Sequence, residues 1–408
     1  MSTTAARMRD WRGPAILSFG FRPFFLFGAA WAGLAMMLWV MMLSGHDPLR
    51  SAFDPVAWHA HELLFGYLGA VIAGFLLTAV PNWTGSLPVT GWPLAGLVAL
   101  WLAGRVAVAV STLMPPYLAM AVDLAFPIAL AGFLAREIIT GKNWKNLPVL
   151  ALLGFWTLAN AAFHQQALAD GLPASGTGLR LGLAAAILLI TLIGGRIVPS
   201  FTRNWLAARH ATRLPAPFGR TDTVIVLVTA LALAAWVIAP DQATTAILCL
   251  VAGLAQSWRL IRWQGWQTGS EALVWVLHMA YAFVPLGFFA IAGHSLLPVG
   301  TAATQHVWMA GAIGLMTLAV MTRASLGHAG RPLHATPAIT ALYLAMIISV
   351  GARFLAGAMP EEDWLLHLAA GGWVVAFGGF AVVYFPILTR PKAAKRKLSG
   401  GPAADAPK

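Results

Sequence analysis

Apolar runs of about 20 residues recur from one end of this chain to the other, and that recurrence limits the fold more than any motif does. They lie near residues 22–44, 58–80, 92–112, 117–138, 146–168, 178–200, 221–239, 243–262, 270–292, 302–324, 335–357 and 364–389, each bounded by Pro, Gly or charge. Inside hydrocarbon a backbone must satisfy its own N–H and C=O groups, so runs of this length become helices. The expected fold class is all-α, a polytopic transmembrane bundle of about 12 helices in a lipid bilayer. Composition agrees: of 408 residues 59% are hydrophobic and 10% charged, a balance that excludes a soluble domain of this size. Residues 1–21 read as an N-terminal cytoplasmic segment, 22–389 as the transmembrane domain and 390–408 as a basic, disordered cytoplasmic tail. The first apolar run is too long for a signal-peptide core and is expected to be retained.

The formal charge of +12 does not indicate a nucleic-acid partner, because in such a chain Lys and Arg report orientation. All of the 26 Lys and Arg except Arg50, Arg105, Arg180 and Arg353 fall in alternate connecting segments, the two ends or their flanking helix turns. The positive-inside rule then places both termini in the cytoplasm, with an even number of crossings. The single cysteine, Cys249, lies in an apolar run. That excludes a disulfide framework, a thiolate metal cluster and covalent CxxCH haem attachment, so any haem would be b-type.

Against this background the run Trp58-His59-Ala60-His61-Glu62 stands out. An ionisable group in hydrocarbon costs roughly 2.5–3.5 kcal/mol or more, so such groups are candidates for function. A neutral imidazole can offer nitrogen to a metal. Helical neighbours differ by about 100°, so His59 and His61 point to nearly opposite sides, and Glu62 is expected on the face of His59. Both histidines could instead be interfacial residues with polar tips among headgroups.

Of the 11 histidines, His46, His59, His61, His164, His294, His306 and His367 fall toward the outer side, and His210, His328 and His334 toward the cytoplasm. His278 lies inside the ninth run, close to Pro285, and His306 opens the tenth, ahead of a stretch of small residues that admits a close neighbour. Imidazoles from several helices near one leaflet are what a haem or copper site in a bundle requires; snorkelling at the interface is the alternative. Arg105 and Asp123 are expected to pair between the third and fourth helices. Arg105 could instead hold a haem propionate. Asn160 and His164 share a face of the fifth helix. Met36, Met37, Met41 and Met42 offer soft sulfur for Cu(I) or simple packing.

These segments together resemble the NnrS family, membrane proteins of the bacterial response to nitric oxide. The resemblance rests on FRPFFLF from Phe21, WHAHELLFGY through AGFLLTAVPNWTG, GGRIVPSFTRNW, LHMAYAFVPLG and HVWMAGAIGLMTLAVMTRASLGHAGRPL, and it reaches to about residue 332. It implies a multi-pass protein of the bacterial inner membrane that binds haem and copper and protects against nitrosative stress. The histidines that fall on matching segments are His59, His61, His278, His306 and His328. The resulting expectation is a haem b site, with copper, toward the periplasmic half, where nitric oxide is bound, with its reduction there left open. His59, His61, His278 and His306 are its cofactor ligands with Arg105 beside them; these four histidines and His328 are its metal candidates. Glu62 is the candidate catalytic residue, handling protons. Turnover would need an electron donor, which the sequence does not identify. A haem- or copper-handling assembly factor and a secondary transporter are the alternatives; the latter would show two related halves, and the second half has no WHAHE-like segment.

Overall fold

The computed structural model describes residues 11–85, 88–169, 171–294 and 299–391. Among them are 12 helices long and apolar enough to cross a membrane, and no strand. In chain order they are α1 (Phe21–Leu43), α2 (Pro55–Thr84), α3 (Trp92–Ala109), α4 (Pro116–Thr140), α5 (Trp144–Ala169), α6 (Thr177–Ala207), α7 (Arg220–Ile238), α8 (Ala243–Ile261), α9 (Ala272–Ala292), α10 (Thr301–His328), α11 (Pro337–Ala358) and α12 (Asp363–Thr389). Residues 392–408, most of the segment read as a disordered tail, lie outside the described residues, as do residues 1–10.

Three helices form the interior. α2, α6 and α10 meet one another, and 78%, 67% and 78% of their most apolar windows are buried, against 33–44% for every other helix except α9. The remaining helices pack around them largely as sequential neighbours, and α12 returns to α1. That closure is also polar. Arg22 Nη1 at the start of α1 donates to the carbonyls of Leu388 (3.0 Å) and Arg390 (2.7 Å) at the end of α12. Both described ends thus lie on one side of the bundle, the terminal face; His59, His61 and His306 lie in the other half, toward the opposite face.

The central helices are longer than hydropathy alone indicates, at 30, 31 and 28 residues. Each carries a stretch of wider π-helix: Glu62–Tyr67 in α2, Ile190–Gly194 in α6 and Val307–Leu315 in α10. A π turn lengthens the backbone hydrogen-bond step by one residue and leaves carbonyls to be satisfied from outside. Side chains do so here. Trp101 Nε1 of α3 donates to Gly66 O at 2.9 Å, Arg259 Nη1 of α8 to Thr191 O at 2.8 Å, and Thr317 Oγ1 to Ile313 O at 2.7 Å. The stretch of small residues in α10 admits close neighbours as expected: a Cβ on Gly314 would lie 2.7 Å from the Met346 methyl and 2.9 Å from the Trp373 ring.

α2 begins three residues ahead of the apolar run because Asp54 caps it. Its Oδ1 accepts from the backbone N–H of Val56 (2.9 Å) and Ala57 (3.0 Å), and Pro55 occupies the first helical position, where its missing N–H costs nothing. The cap sets Trp58-His59-Ala60-His61 just inside the helix, with Glu62 opening the π stretch.

Candidate functional site

The WHAHE turn serves two places. His59 faces a cavity of about 430 Å³ lined by α1, α2, the start of α6, α10, α11 and α12. Its ring stacks on Trp39 of α1, with centroids 4.6 Å apart and planes 21° apart. His306 of α10 lies across from it, 6.4 Å between centroids and 9° from parallel. His306 Nδ1 donates to Ala302 O at 2.6 Å, which leaves Nε2 as a lone-pair donor. His59 Nδ1 is buried and has no hydrogen-bond partner. The walls are otherwise largely apolar, with Leu63, Met309, Ile313 and Trp373 among them. Other polar residues line the same space, among them Gln305, Asp363, His367, whose Nδ1 donates to Asp363 O at 3.1 Å, and Arg353. The Arg353 side chain is half-buried and forms no ion pair among the described residues. An unpaired guanidinium beside apolar walls is suited to an anionic group on a bound molecule.

His61 turns the other way, into a closed polar group between α2, α3, α4 and α5. Its Nδ1 lies 3.0 Å from Glu62 Oε1, and its Nε2 lies 3.0 Å from Asn160 Oδ1 and 3.2 Å from Asp123 Oδ2. Both nitrogens therefore face oxygen acceptors, the arrangement an imidazolium satisfies. Arg105 Nη1 donates to Glu62 Oε1 at 2.6 Å and Nη2 donates to Asp123 Oδ1. Asn160 Nδ2 (2.7 Å) and His164 Nε2 (3.2 Å) both reach Asp123 Oδ2, and Trp31 Nε1 donates to Glu62 Oε2 at 2.8 Å. Two carboxylates thus stand against a guanidinium and an imidazole, all nearly inaccessible to water. Gly66 is required by this packing, since a Cβ there would lie 2.8 Å from Glu62 Oε2 and against the Arg105 guanidinium. His61, Asp123 and His164 place one ligand atom each within 4.8 Å of one another, so this trio could hold a metal ion.

A second buried Arg–Asp group lies toward the terminal face. Arg259 Nε donates to Asp222 Oδ1 at 2.8 Å, and its Nη1 donates to Thr191 O (2.8 Å) and Tyr281 Oη (2.9 Å). Tyr281 in turn donates to Gln256 Oε1 at 2.8 Å, and Gln256 to Thr229 Oγ1 at 2.7 Å. It contains no histidine.

The structure thus brings together His59 and His306, and separately His61, Glu62 and Arg105. Glu62 does not share the cavity with His59, because its carboxylate is drawn to Arg105, Trp31 and His61. Arg105 pairs with Asp123 as expected, and also with Glu62; Arg353, not Arg105, is the cation at the cavity. His278 and His306 are not neighbours. They sit toward opposite ends of antiparallel α9 and α10, and His278 Nε2 contacts Thr202 Oγ1 of α6 at 2.7 Å in the terminal half. His328 ends α10 between the rings of Phe19 and Phe21, 6.2 and 5.3 Å away. Trp39, Arg353 and His367 are what motif reading passes over. For Arg353 the signal was the same as for Arg105, a charge inside a span.

A family model described as NnrS protein matches residues 15–392. The chain belongs to the NnrS family. The match takes in both histidine groups, the Arg259 group and all of α11 and α12, beyond the segments that carry the resemblance in sequence. No curated protein matches the chain. Membership accords with a multi-pass membrane protein of the NnrS type.

Proposed function

We propose that the cavity between His59 and His306 is a b-type haem pocket, in a protein of the bacterial inner membrane that protects the cell against nitric oxide. The observation that carries this reading is the pair itself: two imidazoles from separate helices, nearly parallel, facing one cavity. Its volume lies within the roughly 300–1,000 Å³ of small-molecule and cofactor sites. The residues present fit a haem. His306 has its tautomer fixed by Ala302 O, His59 carries an orphaned ring nitrogen, and Arg353 supplies a cation for a propionate. Trp39 holds the His59 ring by stacking, and the apolar walls keep bulk water from the space between the imidazoles. When bound, haem supplies iron chemistry toward nitric oxide, a small molecule that partitions into lipid. The His61 trio fits copper less well. An ion there would displace both imidazole protons and the Asn160 contact beside a fixed guanidinium, so copper has no part in this proposal.

The test is an optical spectrum of the purified, dithionite-reduced full-length protein, before and after nitric oxide, with haem and metal analysis of the same sample. A Soret band that shifts on adding nitric oxide is expected. A protein without a Soret band would end the haem reading.

A further inference from the structure

The three central helices enclose a second cavity. It begins where the histidine cavity stops and lies on the terminal side of it. Its volume is about 90 Å³, and its walls come from Leu68 and Phe75 of α2, Ala186 and Ile193 of α6, and Met316 and Val320 of α10, with other apolar residues of the same helices. Thr317 is its one hydroxyl, and that group already bonds Ile313 O, Gly314 O and Tyr67 Oη. A water molecule needs two to four polar partners to stay in such a space; a dry apolar cavity instead takes small apolar guests such as xenon. Phe75, Ile193 and Val320 are half-buried and edge the mouth with hydrocarbon.

One hydrogen bond links the linings of the two cavities. Tyr67 lines the histidine cavity, Thr317 lines the central one, and their hydroxyls are 2.6 Å apart. Tyr67 is the last residue of the π stretch in α2, and Thr317 follows the π stretch in α10. Tyr67 therefore hangs from π-helical backbone, and Thr317 from the first α-helical turn after such backbone. Among the described residues, no charged one lines the central cavity.

We propose that the cavity between α2, α6 and α10 holds one neutral, apolar molecule of diatomic size, and that the Tyr67–Thr317 bridge is the partition such a molecule crosses to reach the histidine cavity. The volume limits the guest to a small molecule, and the walls offer nothing to an ion. The passage to the histidine cavity rests on the haem reading; occupancy of the central cavity does not.

Crystals of the full-length protein pressurised with xenon test occupancy. One xenon site is expected between Leu68, Ile193 and Met316, lost in Ala186→Phe and in Ile193→Phe. The second variant sits at the mouth and keeps the test alive where the first does not fold. Flash photolysis of carbon monoxide from the reduced, haem-loaded protein tests the passage. Rebinding from solution is expected to be several-fold slower in Ile193→Phe and faster in Tyr67→Phe, which keeps the ring and removes the bridge. Absence of xenon from the wild-type cavity overturns the proposal. So does unchanged rebinding in Ile193→Phe when xenon is displaced. A protein that carries no haem defeats the reading of the histidine cavity and leaves xenon occupancy to decide this one.

Discussion

His59 and His61 are two residues apart on one helix turn, yet they stand in opposite chemical conditions. The His59 ring is held by stacking and has a buried nitrogen without a partner, beside a cavity and an unpaired arginine. The His61 ring has oxygen acceptors on both nitrogens and charged neighbours that pair with one another. A buried polar atom without a partner is costly, and beside a cavity it is one that a bound molecule can satisfy. A closed network of opposite charges fixes how helices pack. The contrast separates a binding site from a joint, although both are written in one WHAHE motif. The Arg259–Asp222 group belongs with the joint: it ties α6, α7, α8 and α9 as the His61 group ties α2, α3, α4 and α5.

The largest effect falls on the joint. Asp123→Ala leaves Arg105 half-paired and takes an acceptor from His61, Asn160 and His164 at once. Breaking a buried ion pair by removing one partner costs about 3–5 kcal/mol, so a marked fall in the thermal transition of the detergent-purified protein is expected. The fraction that stays folded should keep its full cofactor complement. Loss of cofactor at unchanged stability would merge the two regions.

A smaller effect is expected at the cavity. Arg353→Met keeps most of the unbranched apolar stem of the side chain and removes its charge. A charge-assisted hydrogen bond contributes about 1.5–3 kcal/mol, so haem should dissociate roughly tenfold or more faster, measured by transfer to an apo-globin acceptor. The melting of the apoprotein should not fall, since Arg353 has no ion-pair partner to lose among the described residues.

The smallest effect lies outside both regions, on the terminal face. Glu271 caps α9 and accepts from His334 Nδ1 (2.8 Å) and the backbone N–H groups of Leu273 (3.1 Å) and Ala335 (3.0 Å). Burial alone would raise its carboxyl; these hydrogen bonds outweigh it and hold the group below its usual value. A depressed carboxyl stabilises the fold above the unfolded value of about 4.3 and loses that contribution as pH falls through the folded one. Glu271→Gln should therefore lower the melting temperature slightly at pH 7 and flatten its decline below about pH 4.3. An acid limb as steep as that of the wild type would remove Glu271 from this role.

Much of the scaffold was legible in the sequence because hydrocarbon imposes it. Twelve spans follow from length and apolarity, and the divergence of His59 from His61 follows from the helix period. Arg105 and Asp123 could be paired because each was a charge with nowhere else to go in adjacent spans. What hydropathy does not encode is which distant spans meet. Nothing in the apolar pattern of α11 places Arg353 beside His59, or separates His278 from His306 by most of the bundle. The π stretches leave no compositional mark, since Glu62–Tyr67 and Val307–Leu315 read as ordinary helix. Their trace was length alone, with spans of 28 to 31 residues where about 20 suffice. Those spans are the second, sixth and tenth, evenly spaced along the chain.

The division between site and joint is tested most directly by haem content per polypeptide in His306→Ala and His61→Ala, purified side by side and measured as the pyridine haemochrome. The expected result is loss of haem from His306→Ala, with its melting retained, and full haem in whatever His61→Ala protein remains folded. Haem retained in His306→Ala and lost from folded His61→Ala would contradict it.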